Sequence, residues 1–103
     1  MSPDAWEIDV FDDGVTLFVT PVGELDIYTA PQLEEAFGRR RDSHRALILE
    51  VSELTFVDST GVQTMLKMRR AEPDRFLLSG SCQPLDRVLE LSGMTSVFKR
   101  LTD

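Results

Sequence analysis

Phe56-Val57-Asp58-Ser59-Thr60-Gly61-Val62, shortly after the apolar run Ala46-Leu47-Ile48-Leu49, reads as a strand, a tight polar loop and a helix that opens on two hydroxyl residues. Ala46 to Val51 is nearly all apolar, the pattern of a central strand covered on both faces. Gly61 to Arg70 follows as a helix, with Val62, Met65 and Leu66 facing inward. A hydroxyl at a helix start lies among unpaired backbone N–H groups, at the positive end of the helix dipole. Such a position tolerates an added phosphate. Ser59 is therefore a candidate phosphate acceptor, and as a bare N-cap it would contribute about 1 kcal/mol. Thr60 is a second candidate for either role. Asp58 is read as orienting the serine or holding a partner's magnesium, or else as another capping group at the same turn.

Outward from this stretch, strands and helices alternate. Trp6-Glu7-Ile8-Asp9-Val10 and Val15-Thr16-Leu17-Phe18-Val19 alternate apolar with polar residues on either side of Asp12-Asp13-Gly14, a hairpin signature. Pro21 to Ile27 reads as a loop, in which Asp26 closes an Asx turn. Thr29-Ala30-Pro31-Gln32 reads as a helix start: Thr29 caps, Pro31 fits the first turn and Gln32 reaches back. Leu33, Ala36 and Phe37 form that helix's apolar face, and Arg39, Arg40 and Arg41 follow as a solvated, dipole-complementing end. Glu72-Pro73-Asp74 stops the next helix, and Arg75 to Ser79 supplies another strand. Pro84 to Leu91 forms a third helix on Leu85, Val88 and Leu89, with Gly93 as its stop. Val97-Phe98 is read as a short edge strand.

This order predicts an α/β fold: a mixed sheet with an initial antiparallel hairpin, then parallel strands joined by right-handed crossovers, with helices packed against it. The 103 residues suit one domain spanning 1–103.

Composition excludes several function classes. At 42% hydrophobic and 28% charged, the chain is globular rather than disordered. No apolar run approaches bilayer length and no basic-then-apolar leader opens the sequence, so a cytoplasmic protein without membrane contact is expected. The net charge is −7, and every Lys and Arg lies from Arg39 onward. That acidic amino-terminal region argues against nucleic acid and fits a protein partner with a basic surface. One cysteine, Cys82, forms no internal disulfide and is expected to be a quiet small residue. His44 is expected to be a solvated loop residue, and Met65 and Met68 to be core, with Met68 also suited to an adaptable interface. There is no Gly-rich phosphate loop with its lysine, so a non-enzyme with no metal and no cofactor is expected.

Gly23-Glu24-Leu25-Asp26, then Ala30-Pro31 and Leu33, then Val57-Asp58-Ser59-Thr60-Gly61-Val62, resembles the STAS domain, and within it the single-domain anti-sigma factor antagonists of bacteria. The match runs along nearly the whole chain. The resemblance implies partner switching: an anti-sigma factor with serine kinase activity binds the unphosphorylated antagonist and frees its sigma factor, and a serine phosphatase reverses the modification. The matching phosphorylation site is Ser59. Asp26 and Asp58 match the two acidic positions beside it, and Thr60, Gly61 and Val62 match the start of the helix that contacts the kinase. Gln63 departs from the small residue usual in that family, which bears on partner choice. Nothing demands self-association, and a monomer is expected. The alternative is a scaffold that is not phosphorylated, a subunit of a larger sensory or transport assembly, in which the same turn only caps a helix.

Overall fold

The computed structural model describes residues 6–101. Strands β1 (Glu7–Asp12) and β2 (Thr16–Leu25) form the expected antiparallel hairpin. Asp13 closes its turn by accepting the Val15 and Thr16 N–H groups on Oδ1, and Gly14 takes the left-handed φ of 87°. Then come α1 (Ala30–Phe37), β3 (Ala46–Glu50), β4 (Leu54–Val57), α2 (Ser59–Ala71), β5 (Phe76–Ser79) and α3 (Gln83–Leu91). The sheet runs β1-β2-β3-β5, with β4 joined to β2, and every pairing after the hairpin is parallel. Three helices pack against this mixed sheet. Their apolar stripes meet Leu17, Val19 and Leu25 of β2 and Leu47 and Leu49 of β3, all fully buried. Phe76 joins the layers, edge-on to Phe37 at 5.5 Å and to Phe98 at 6.3 Å between ring centroids.

Several local expectations are corrected. Pro21 to Leu25 is strand, not loop: β2 carries on to pair with β4. Pairing with β3 ends at Val19 and pairing with β4 begins at Gly23. Pro21 falls in that gap, where its missing N–H costs no ladder bond on that edge. Gly23, at φ 114°, absorbs the register shift between the two partners. The strand β4 itself escapes periodicity because it has four residues and no alternation of burial. Val97-Phe98 forms no strand; only an isolated bridge joins Leu78 to Arg100, and Phe98 turns into the core.

At α1, Thr29 makes no capping bond. Its hydroxyl donates to the Glu24 carbonyl at 2.7 Å and accepts the Asp26 N–H, fastening the loop instead. Gln32 does not reach back; its Oε1 accepts the Trp6 indole N–H at 2.9 Å. Nor are the arginines after α1 merely solvated. Arg40 donates to Glu72 at 2.7 Å and to the Phe37 carbonyl at 2.9 Å, and Arg41 pairs with Asp12. His44 is the largest departure: its side chain is fully buried, held between Asp12 and the Arg41 backbone. Met68 is core, not interface, at 4% exposure.

Glu72 ties three elements together, accepting from Arg40 after α1 and from Arg75 before β5 at the end of α2. Burial alone would raise its carboxyl; the hydrogen bonds and charges of Arg40 and Arg75 outweigh this and hold it below the usual glutamate range. A carboxyl depressed in the folded state stabilises above its unfolded pKa and loses that contribution as pH falls through the folded value. Glu72→Gln should therefore cost about 1–2 kcal/mol at neutral pH, discounted for partial exposure. Below the ordinary glutamate range the gap to wild type should close. Urea melts of both proteins at pH 7 and below pH 4 check this; a gap that persists in acid would exclude the ion pairs as its cause.

Candidate functional site

Leu25 and Val57 are Cα partners in the parallel β2–β4 ladder. The next residue on each strand is an aspartate, so the register itself sets Asp26 beside Asp58 at the carboxyl ends of neighbouring strands. The Asp58 N–H donates to the Leu25 carbonyl at 3.2 Å, closing the junction. Loops at such strand ends are where open α/β sheets place their binding sites.

The cap of α2 is Asp58, not Ser59. Asp58 has extended backbone, and its Oδ1 accepts the Gly61 N–H at 3.0 Å. Ser59 is the first helical residue and is exposed. Its hydroxyl has no hydrogen-bond partner among the described residues. Freed from capping, that hydroxyl is available for chemistry at the positive end of a 13-residue helix. Thr60 beside it is half-buried.

Gly61 and Val62 lie beneath this surface rather than on it. A Cβ on Gly61 would sit 2.7 Å from Leu25 Cγ and 3.2 Å from the Leu25 carbonyl oxygen. Only glycine lets the first turn of α2 rest directly on β2, which is what brings Ser59 next to the Asp26 loop. Val62, 3% exposed, anchors the same turn to the core.

Asp26 forms the expected Asx turn, its Oδ1 accepting the Tyr28 and Thr29 N–H groups at 2.9 and 3.1 Å. The turn leaves Ile27 and Tyr28 outside the fold, at 62% and 83% exposure. Two large apolar side chains exposed in the loop that carries Asp26 are the functional candidates that the motif pattern missed. Their signal in the sequence is an apolar pair inside a polar turn. Gln63 is exposed on α2, one turn after Ser59. Cys82 is buried, which pushes its thiol up, away from reactivity. Among the described residues, no group of three or more His, Cys, Asp or Glu side chains is placed to hold a metal ion, and no helix is long and apolar enough to cross a membrane.

The family model for the STAS domain matches residues 7–102. The chain belongs to the STAS domain family. The anti-sigma-B factor antagonist of Staphylococcus aureus is 31% identical to this STAS chain over 77 residues, covering 70% of each. An anti-sigma factor antagonist from Mycobacterium paratuberculosis superposes with a TM-score of 0.80 at 28% identity, over 98% of this chain and 90% of that one. The fold recurs at 22% identity and a TM-score of 0.66 in a sulfate transporter family protein from Wolinella succinogenes, over 94% of this chain and 81% of that one. The STAS fold is thus shared across different settings, and the Ser59 turn has to carry the functional assignment.

Proposed function

We propose that this STAS domain is an anti-sigma factor antagonist that works by partner switching. Unmodified, it captures an anti-sigma factor with serine kinase activity, so that the sigma factor is released. Once Ser59 is phosphorylated the complex dissolves, and a serine phosphatase restores the capturing form. The observation that carries this reading is the exposed, unbonded Ser59 hydroxyl on a helix whose cap is supplied by a different residue. The chain serves as substrate for phosphoryl transfer, not as an enzyme, with ATP and magnesium brought by the kinase. It acts in the cytoplasm and needs neither nucleic acid nor a cofactor.

The chemistry follows from where the charge goes. A phosphoserine carries about −1.5 to −2 charges at neutral pH. In water at a helix amino terminus it is well solvated and favoured by the dipole, so the fold is undisturbed. Pressed into an interface it loses that hydration beside Asp58 and Asp26, whose like charge opposes it. The same two carboxylates suit a basic partner surface while the serine is neutral. Exposed Ile27 and Tyr28 supply apolar contact area next to them.

Incubation with ATP and a purified cognate anti-sigma factor, a small ATPase of histidine-kinase type, tests this. One phosphate per chain is expected, placed on Ser59 by fragmentation mass spectrometry and absent from Ser59→Ala. No phosphate, or phosphate on Thr60 alone, would overturn the assignment.

A further inference from the structure

Helix α1 packs beside α2, and α3 lies against β4. Between α2 and α3 the surface opens into a groove of about 230 Å³. Its apolar lining is Val62, Leu66, Val88 and Met94, and its polar lining on α2 is Ser59 and Gln63. The residue proposed to take the phosphate therefore borders an apolar hole.

We propose that this groove receives one apolar side chain of the kinase that modifies Ser59, and that phosphorylation closes it. This rests on the partner-switch reading and says how the switch acts. The size fits: an apolar cavity of about 150 Å³ already takes up benzene, so this groove admits a group of leucine, methionine or phenylalanine size. The neighbourhood fits too. None of the groove residues is charged, whereas the adjoining surface of α3 carries Asp86, Arg87 and Glu90. An uncharged rim around an apolar floor is the local form of a docking hot spot, a desolvated pocket that holds one anchor.

The occupant follows from position. A kinase that brings its nucleotide's terminal phosphate to Ser59 Oγ must cover the groove that Ser59 borders. Leaving the floor empty beneath a closed interface would forfeit packing along both helices. Leu91, 80% exposed one turn after Val88, continues the apolar surface out of the groove along α3. Gln63 stands one turn after Ser59 on the same side of α2, so its length and polarity select among anchors. Phosphate on Ser59 then acts twice: its charge resists desolvation, and its hydration shell stands at the opening through which the anchor must pass. The negative charge and the lost hole share one residue.

The test uses the full chain and the same purified ATPase, with ADP so that no phosphate is transferred. Ser92, exposed at the end of α3, also lines the groove. A ring at that position covers it, and Ser92→Trp should weaken the complex about 10–100-fold. Arg87→Trp, away from the groove on the same helix, should leave it within about threefold. In wild type, the methyl NMR signals of Met94 and Val88 should shift on binding and return to their free positions once Ser59 is phosphorylated. If Ser92→Trp does not fold, those methyl signals decide alone. Methyl signals that stay put in a complex that still phosphorylates Ser59 and still dissolves afterwards would overturn the groove while leaving the switch intact. Absence of any phosphate on Ser59 would instead remove the switch, and the groove's occupant with it.

Discussion

If the proposed switch operates, Ser59→Asp should weaken capture of the anti-sigma kinase by about a hundredfold or more, phosphoserine at the same position should do so at least as strongly, and Ser59→Ala should stay bound through rounds of ATP addition. These are the outcomes expected from a hydroxyl that is free for contact and carries no structural duty. Because Asp58 supplies the cap of α2, neither substitution removes a capping bond. Alanine is the best helix former, and Asp in the first turn meets the helix dipole favourably by about 0.3–1 kcal/mol. Thermal midpoints should therefore stay at or slightly above that of wild type. Any loss of binding then belongs to the interface. An interfacial penalty of about 3 kcal/mol lowers affinity more than a hundredfold, and burying an unpaired anion next to two carboxylates readily reaches that size. Titration calorimetry with the purified ATPase in ADP gives the affinities. A passive scaffold on the same fold would bind its partner equally well in all three forms, and equal affinities would sink the switch.

The second large effect lies away from the site. His44→Ala should cost about 2–4 kcal/mol, seen as a lower urea midpoint with an unchanged slope. The imidazole Nδ1 accepts the Arg41 N–H at 2.8 Å, which places the ring proton on Nε2, where it is donated to Asp12 Oδ1, also at 2.8 Å. This clamp joins the end of β1 to the segment that leads into β3, and Arg75 adds a bond to the His44 carbonyl. Truncation leaves a cavity and the partly buried Arg41 N–H without its acceptor. Asp12 is less dependent on the pair: its carboxylate is partly exposed and also accepts from Gly14 and Arg41. The His44 hydrogen bond is the main cause that holds the Asp12 carboxyl below the usual aspartate range. Asp12's contribution is accordingly present above that range and lost in acid. Kinase capture should be unaffected in folded His44→Ala, since this clamp takes no part in the Ser59 turn. A variant as stable as wild type would show that the buried bonds contribute nothing net.

The hairpin, strands β3 and β5, and the three helices with their inward faces were legible in the sequence, because each rests on a period or turn signal within a dozen residues. So was the Asp-Ser-Thr-Gly turn as the start of a helix, which the structure places at Ser59. Contacts between distant segments were not. His44 and Asp12 are 32 residues apart, and nothing local marks a polar loop histidine as buried. The continuation of β2 past Pro21 depends on where two other strands stop and start. The choice of Asp58 over Ser59 as cap depends on where the chain leaves β4, a strand too short to announce itself. Local propensity and periodicity thus determined which elements form and which residues face the core. The tertiary structure alone decided which hydroxyl is left unbonded, which carboxylates stand beside it and where a groove opens between two helices. Those outcomes are set by register and packing between segments far apart in the chain, to which no local pattern is sensitive.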